Sequence, residues 1–321
     1  MKKFLSLILA LVFVLSCTAA LAEDFPATVL TYNREREEIN TVYEKAPERV
    51  IAAYQSNIEI MLKLGLADRI VCAFGLDEEI TGELAEEFAK IPYYESRPSK
   101  EEAIALQPDA ILGWRSLFAD DRFGGVEYWI ENGCNTYMSI NSTLKSENGG
   151  NTIECEMQDI LNIGAMFGKN AEAQAIVDEM YAEIERIGAY VTESGIEPLS
   201  VAVLEDEGDS YRVYGHSTLG GNIAERVGAT LAVGAENSDN VGVEDLIAAN
   251  PDKIFMIWYE GWLGPEEVVA SIMENPALAS LKAVQNGDVY ALNLVQVWCS
   301  GLHTMEGIQT FASALYPELY A

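Results

Sequence analysis

The side chains of this 321-residue chain that could do chemistry are aromatic and cationic, and they stand where short apolar runs end. Tyr54 and Gln55 follow "RVIAA", and Trp114 and Arg115 follow "AILG". Tyr211, Arg212, Tyr214 and His216 come shortly after "SVAVLE". Trp258, Tyr259 and Trp262 close the run "KIFMIW", and Trp298 comes after "VYALN". Aromatic walls suit a large planar or ring-shaped ligand, and arginine suits its carboxylates or an anionic chelate. His216 could ligate a haem iron or a cobalt, and Tyr214 could do so as a phenolate. Any one of these aromatics could equally be a core or lobe-contact residue, and His216 a hydrogen-bonding loop residue. A naked metal ion is not suggested, since the histidines are His216 and His303 alone and no His/Asp/Glu cluster has a ligating spacing. "GHSTLGG" (215–221) comes near the GxSxG elbow of hydrolases but has Leu219 where the second glycine belongs. Ser217 beside His216 is therefore the minor, enzymatic alternative. P-loop, HExxH and GxGxxG patterns are not found.

The elements that must position these residues alternate in type. Residues 23–46 read as a short arm or edge hairpin. "RVIAA", the helical pattern "NIEIMLKLGLADR" and "IVCAF" make a strand–helix–strand unit, hence a parallel sheet. Ser99 and Glu102 predict a capping box at the start of a short helix whose apolar face is Ala103, Ile104 and Leu106. Pro108 ends it before the strand "AILGW". From Asn170, apolar residues at steps of four and three (Ala173, Val177, Met180, Ile184, Ile187, Val191) predict one long helix, stopped by Gly195 and Pro198. About 25 residues would make it ~37 Å long, enough to span two lobes. The strand–helix grammar then restarts. The prediction is an α/β chain of two Rossmann-like lobes, with parallel-rich sheets, at 23–151 and 197–321. A helical segment, 152–196, joins them.

The bulk numbers narrow the partners. Hydrophobic residues make up 49% and charged residues 22%, an ordinary globular balance, but 51 acids face 20 bases for a net charge of −31. Nucleic acid is therefore not an expected partner. Lys2 and Lys3, an apolar run to Leu15 and Ala20-Leu21-Ala22 read as a signal peptide over residues 1–22. "VLSC" ending at Cys17 competes as a lipidation site, so the expectation is export, to the periplasm or the outer face of the cytoplasmic membrane, with or without a lipid anchor. Cys72, Cys134, Cys155 and Cys299 are buried thiols or include one bridge, for which Cys72 with Cys134 is the expected pair.

One sentence is written twice. "EEAIALQPDAIL" (101–112) and "EDLIAANPDKIF" (244–255) share Glu, Ile-Ala, Pro-Asp and Ile at the same spacing. The pattern is a helix–turn–strand joint, and its doubling places Glu101 and Glu244 at matching positions of two pseudo-equivalent lobes.

"RVIAAYQSNIEIMLKLGLADRIVCAF", "SKEEAIALQPDAIL", "GVEDLIAANPDKIF", "LKAVQNGDVYAL" and "LYPELY", in this order, resemble the substrate-binding proteins of ABC importers for iron–siderophores, haem and cobalamin (periplasmic binding protein class III). The resemblance covers nearly all of the mature chain. It implies two lobes held apart by a backbone helix, a cleft that takes an iron chelate, haem or corrinoid, no resident cofactor and a monomer. It also implies docking of Glu101 and Glu244 onto arginines of a permease dimer that works with an ATPase. "LGWRS" (112–116) is similar to the cobalamin branch, while other aromatic positions of that branch are unmatched. A sensor that presents its ligand to a signalling receptor would have the same lobes.

Overall fold

The computed structural model describes residues 24–144, 151–235 and 240–321. The expected signal peptide and Cys17 lie outside the described residues. The chain opens with an antiparallel hairpin, β1 (Ala27–Tyr32) and β2 (Glu38–Tyr43), with Ala27 opposite Tyr43. Of the arm and the edge hairpin expected before the first sheet, the hairpin forms.

The first sheet collects β3 (Val50–Ala53), β4 (Ile70–Phe74), β5 (Tyr93–Tyr94), β6 (Ala110–Gly113) and β7 (Asn135–Met138). All its pairings are parallel, in the order β5-β4-β3-β6-β7. α1 (Gln55–Lys63), α2 (Ala85–Phe88), α3 (Lys100–Ala105) and α4 (Val126–Glu131) connect the strands. The unbroken apolar strands β3 and β6 are buried throughout, as a parallel sheet covered on both faces requires. The capping box forms as predicted: Ser99 accepts from the Glu102 amide, and the Glu102 carboxylate accepts from the Ser99 amide.

α5 (Ile153–Met166) and α6 (Asn170–Ser194) follow. α6 has 25 residues and ends at Gly195, whose φ of 61° gives the left-handed cap that the sequence indicated. The second sheet holds β8 (Ser200–Asp206), β9 (Tyr211–Val213), β10 (Thr230–Leu231), β11 (Lys253–Trp258) and β12 (Val289–Asn293). Its parallel order is β10-β8-β11-β12, with β9 antiparallel to the end of β8. α7 (Leu219–Arg226), α8 (Val243–Ala249), α9 (Pro265–Met273), α10 (Lys282–Asn286) and α11 (Thr304–Leu315) complete it.

One apolar cluster runs through both halves. It takes Val50, Ala52 and Leu112 from the first sheet, Ile160, Ile163, Val177 and Met180 from α5 and α6, and Val203, Phe255 and Phe311 from the second half. Two smaller clusters cover the outer sheet faces. The halves therefore share a core along α5 and α6.

Two sequence expectations are corrected. The expected Cys72–Cys134 bridge is not formed: both are free thiols in one outer cluster, and burial pushes each up to about 12. Ile104 does not join the apolar face of α3. Ala103 is fully buried and Leu106, three residues on, packs on the same side, but Ile104 is turned about 100° from Ala103 and is 41% exposed.

Candidate functional site

In both sheets the strand order reverses at one place, between β3 and β6 in the first and between β8 and β11 in the second. Ligands of doubly wound folds bind in the crevice outside the carboxyl ends of the strands at such a point. Several of the sequence-predicted residues follow the strands that flank these points.

At the first switch point Tyr54 follows β3 and Trp114 follows β6. Their rings stack, centroids 4.3 Å apart and 16° from parallel. Tyr54 is held in an unusual backbone conformation (φ 72°), and its amide donates to the Phe74 carbonyl (2.9 Å). The next turn permits this because a Cβ on Gly75 would come within 3.1 Å of the Tyr54 ring. The Tyr54 hydroxyl lies 3.3 Å from Ser116 Oγ and accepts from Arg122 at 3.4 Å. Arg115 stands beside them, and its Nε donates to the Arg34 carbonyl at 2.7 Å. The Trp114 indole N–H is buried with no acceptor among the described residues.

At the second switch point Glu205 organises the wall. It accepts from the Tyr214 hydroxyl (2.9 Å), bonds the Tyr259 hydroxyl and pairs with Arg212 (3.4 Å). The Arg212 guanidinium lies 5.3 Å from the Tyr214 ring centroid and 5.5 Å from that of Trp298, within cation–π range of both. Trp258, Tyr259 and Trp262 line a recess of about 530 Å³ whose opposite side is Glu78, Glu79 and Thr81 of the first half. Tyr259 and Trp262 are nearly parallel, 6.5 Å apart, and Trp262 is 56% exposed. A second cavity, about 410 Å³, lies behind, between Glu59, Glu78, His303 and Glu306 and the α6 residues Ile176 and Met180.

Four expected site residues are placed differently. Gln55 is buried; its amide donates to Glu59 (2.6 Å) and its carbonyl accepts from the Asp77 and Glu78 amides, so it braces the loop after β4. Tyr211 packs into the outer cluster of the second half. Tyr214 is buried and gives its proton to Glu205; burial first, then that carboxylate, holds its pKa well above the ordinary value. The phenolate expected of it as an axial ligand is opposed by both. His216 pairs through Nδ1 with Glu225 (2.7 Å) on α7. The glycines of "GHSTLGG" also have another role: a Cβ on Gly215 would lie 2.3 Å from the Gly234 carbonyl oxygen, and one on Gly221 2.0 Å from that of Gly215. They let backbones cross closely rather than shape a nucleophile elbow.

Sequence reasoning missed Arg34, Arg36, Arg122 and Glu205. The signal for the first two was present, two arginines in the turn "NRERE" of an acidic chain.

Glu101 and Glu244 both occupy the second position of their helices, α3 and α8, and both are exposed. The carboxylate one residue on, Glu102 or Asp245, closes the helix start by accepting from the Ser99 or Gly242 amide. Glu101 and Glu244 have no such partner among the described residues. Ile104 and Ile247, one turn on in each copy of the repeat, are each 41% exposed.

The periplasmic binding protein family model matches residues 50–294. The petrobactin-binding protein YclQ of Bacillus subtilis is 22% identical over 320 residues, 94% of each chain. The Fe(3+)-citrate-binding protein YfmC of the same organism is 31% identical over 123 residues, 38% of this chain and 35% of its own. A periplasmic binding protein from Veillonella parvula superposes with a TM-score of 0.84 at 28% identity, over 92% of this chain and 93% of that one. With both switch points inside the matched span, the chain belongs to the periplasmic binding protein family.

Proposed function

We propose that this chain is the extracytoplasmic substrate-binding component of an ABC importer and that it carries a small metal complex, an iron chelate, haem or corrinoid, between its two switch points. What supports this is an aromatic and cationic group at the strand ends of each sheet: a stacked Tyr54–Trp114 pair with Arg115 in the first, and Arg212 within cation–π range of Trp298 in the second. Flat rings give contact area, and guanidinium groups hold carboxylates or a chelate's anionic oxygens. Relatives named for binding petrobactin, ferric citrate and ferric anguibactin support an iron chelate. Titration of the mature protein with ferric citrate, ferric siderophores, hemin, cobinamide and cobalamin tests it. Tryptophan quenching and visible spectra should show micromolar or tighter binding of at least one. Binding to none would overturn the proposal.

Delivery follows from the repeat. A two-fold partner requires two equivalent contacts, and Glu101 with Ile104 and Glu244 with Ile247 supply one per half. In this proposal each glutamate meets a basic residue of the permease dimer while the neighbouring isoleucine covers apolar surface. The protein acts as a monomer, exported with or without a lipid on Cys17.

A further inference from the structure

We propose that the turn of the β1–β2 hairpin is part of the ligand site: Arg34 and Arg36, with Arg115 and Arg122, form a rim that selects a metal chelate carrying several unneutralised negative charges over haem or a corrinoid. This rests on the cargo-binding role proposed above.

The hairpin is fixed against the edge of the first sheet, where the Met138 amide donates to Thr31 Oγ1 (3.0 Å). Its turn is closed by Asn33, which accepts from the Glu37 amide (2.9 Å) and donates to the Glu37 carboxylate (2.8 Å). Arg36 has φ 71°, and its Nε donates to the Thr143 carbonyl (2.6 Å) in the loop after β7. Arg115 Nε donates to the Arg34 carbonyl (2.7 Å), and the Arg115 amide donates to Ser142 Oγ (2.9 Å). Hairpin turn, β6 loop and β7 loop are thus tied together at the carboxyl edge of the sheet, beside the Tyr54–Trp114 stack. Arg122 enters from the other side, through the Tyr54 hydroxyl.

The anchoring uses Nε of Arg36 and Arg115 and leaves the terminal nitrogens, which are the pair that grips a carboxylate or chelating oxygens. Among the described residues neither side chain has a carboxylate partner. Arg34 lies 3.7 Å from Asp120, whose side chain is 94% exposed, a pair that water screens. The arginines are felt at Arg115: burial first, then the charges of Arg36 and Arg34, hold its pKa below the ordinary value, with Glu35 of the same turn acting the other way.

The second wall argues against a haem held by a phenolate: the Tyr214 hydroxyl is buried and donates to Glu205. A chelate that saturates its own iron with oxygens needs only charge, donors and aromatic walls, which are what the site holds.

The test uses the mature chain with ferric citrate and a ferric tris-catecholate as polyanionic probes, and ferrioxamine B, hemin and cyanocobalamin as the contrast. At least one polyanionic probe should bind ~100-fold tighter than every contrast ligand, and raising sodium chloride from about 50 to about 500 mM should weaken it ~10-fold. Arg34→Gln with Arg36→Gln should weaken it ~10-fold or more, and Arg34→Gln alone, which removes no backbone anchor, should weaken it measurably at an unchanged melting temperature. Equal or tighter binding of a contrast ligand would overturn the inference and leave the cargo-binding role standing. So would wild-type affinity for the anionic probe in both variants. Binding to no ligand at all would overturn the role and the inference together.

Discussion

His303 precedes α11 in the second half and reaches Glu59 of α1 in the first, Nε2 to carboxylate oxygen 2.9 Å, while its Nδ1 meets Glu306 at 3.0 Å. Burial opposes the charged imidazole, but hydrogen bonds to Glu306 and Glu59 outweigh it and raise its pKa from the ordinary 6.5 to about 10. A raised folded-state value means that the stabilisation is fully present below pH 6.5 and is lost as pH rises through about 10. His303→Gln should therefore cost about 1–3 kcal/mol in urea unfolding at pH 6. The gap to wild type should narrow as pH approaches about 10. A constant gap across that range would exclude an ionic role. Nothing in "GLHT" announces this residue, because Glu59, its partner in the first half, lies 244 positions away. Tyr54 and Trp114 were legible for the opposite reason: a strand's end is visible locally, and the parallel grammar says which way it faces. Gln55, adjacent to Tyr54, was misjudged because the sequence does not show that the first turn of α1 points down into the β4 loop.

The start of α1 and the turn at 301–303 approach closely. Gly301 has φ 54°, and a Cβ there would sit 2.8 Å from Ser56 Cβ and 3.2 Å from its Cα. The Gly301 amide also donates to the buried Glu156 carboxylate of α5 (2.7 Å). Gly301→Ala is expected to cost about 2–4 kcal/mol, from the left-handed backbone and the forced separation together. Gly261→Ala, equally left-handed at φ 86° but with nothing within 4 Å, should cost only about 1 kcal/mol. Equal losses in denaturant melts would show that backbone strain alone matters at Gly301. The elements whose signals are local were readable: the apolar strands, the Ser99–Glu102 box and the Gly195 cap of α6. α9 went unassigned although Pro265 at its first position and Glu267, which accepts from the Gly264 amide, are start signals. The hairpin's strands were foreseeable, but the placement of its turn against residues 115 and 143 is a long-range fact with no local trace.

Across the whole molecule the doubled motif was the most informative feature of the sequence. It gave the two-sheet organisation, and it gave Glu101 and Glu244 as a pair. It did not give the exposure of Ile104 and Ile247, since an isoleucine in an amphipathic pattern reads as core. Glu101→Ala with Glu244→Ala is expected to abolish ligand-stimulated ATP hydrolysis by the reconstituted importer while ligand affinity stays within about twofold. Ile104→Asn with Ile247→Asn should weaken stimulation ~10-fold without altering ligand affinity or melting temperature. A large loss of ligand affinity in either pair would place these residues at the cargo instead. The shared core along α5 and α6 bears on how such a protein circulates. In the proposed docking, Glu101 and Glu244 sit on halves that share one core, so an unloaded molecule would present the same pair to the permease and compete for it. Where cargo is scarce, most visits to the transporter would then be made empty-handed. The uptake rate would follow the loaded fraction of the pool, and producing more of this protein beyond the available cargo would slow import rather than hasten it.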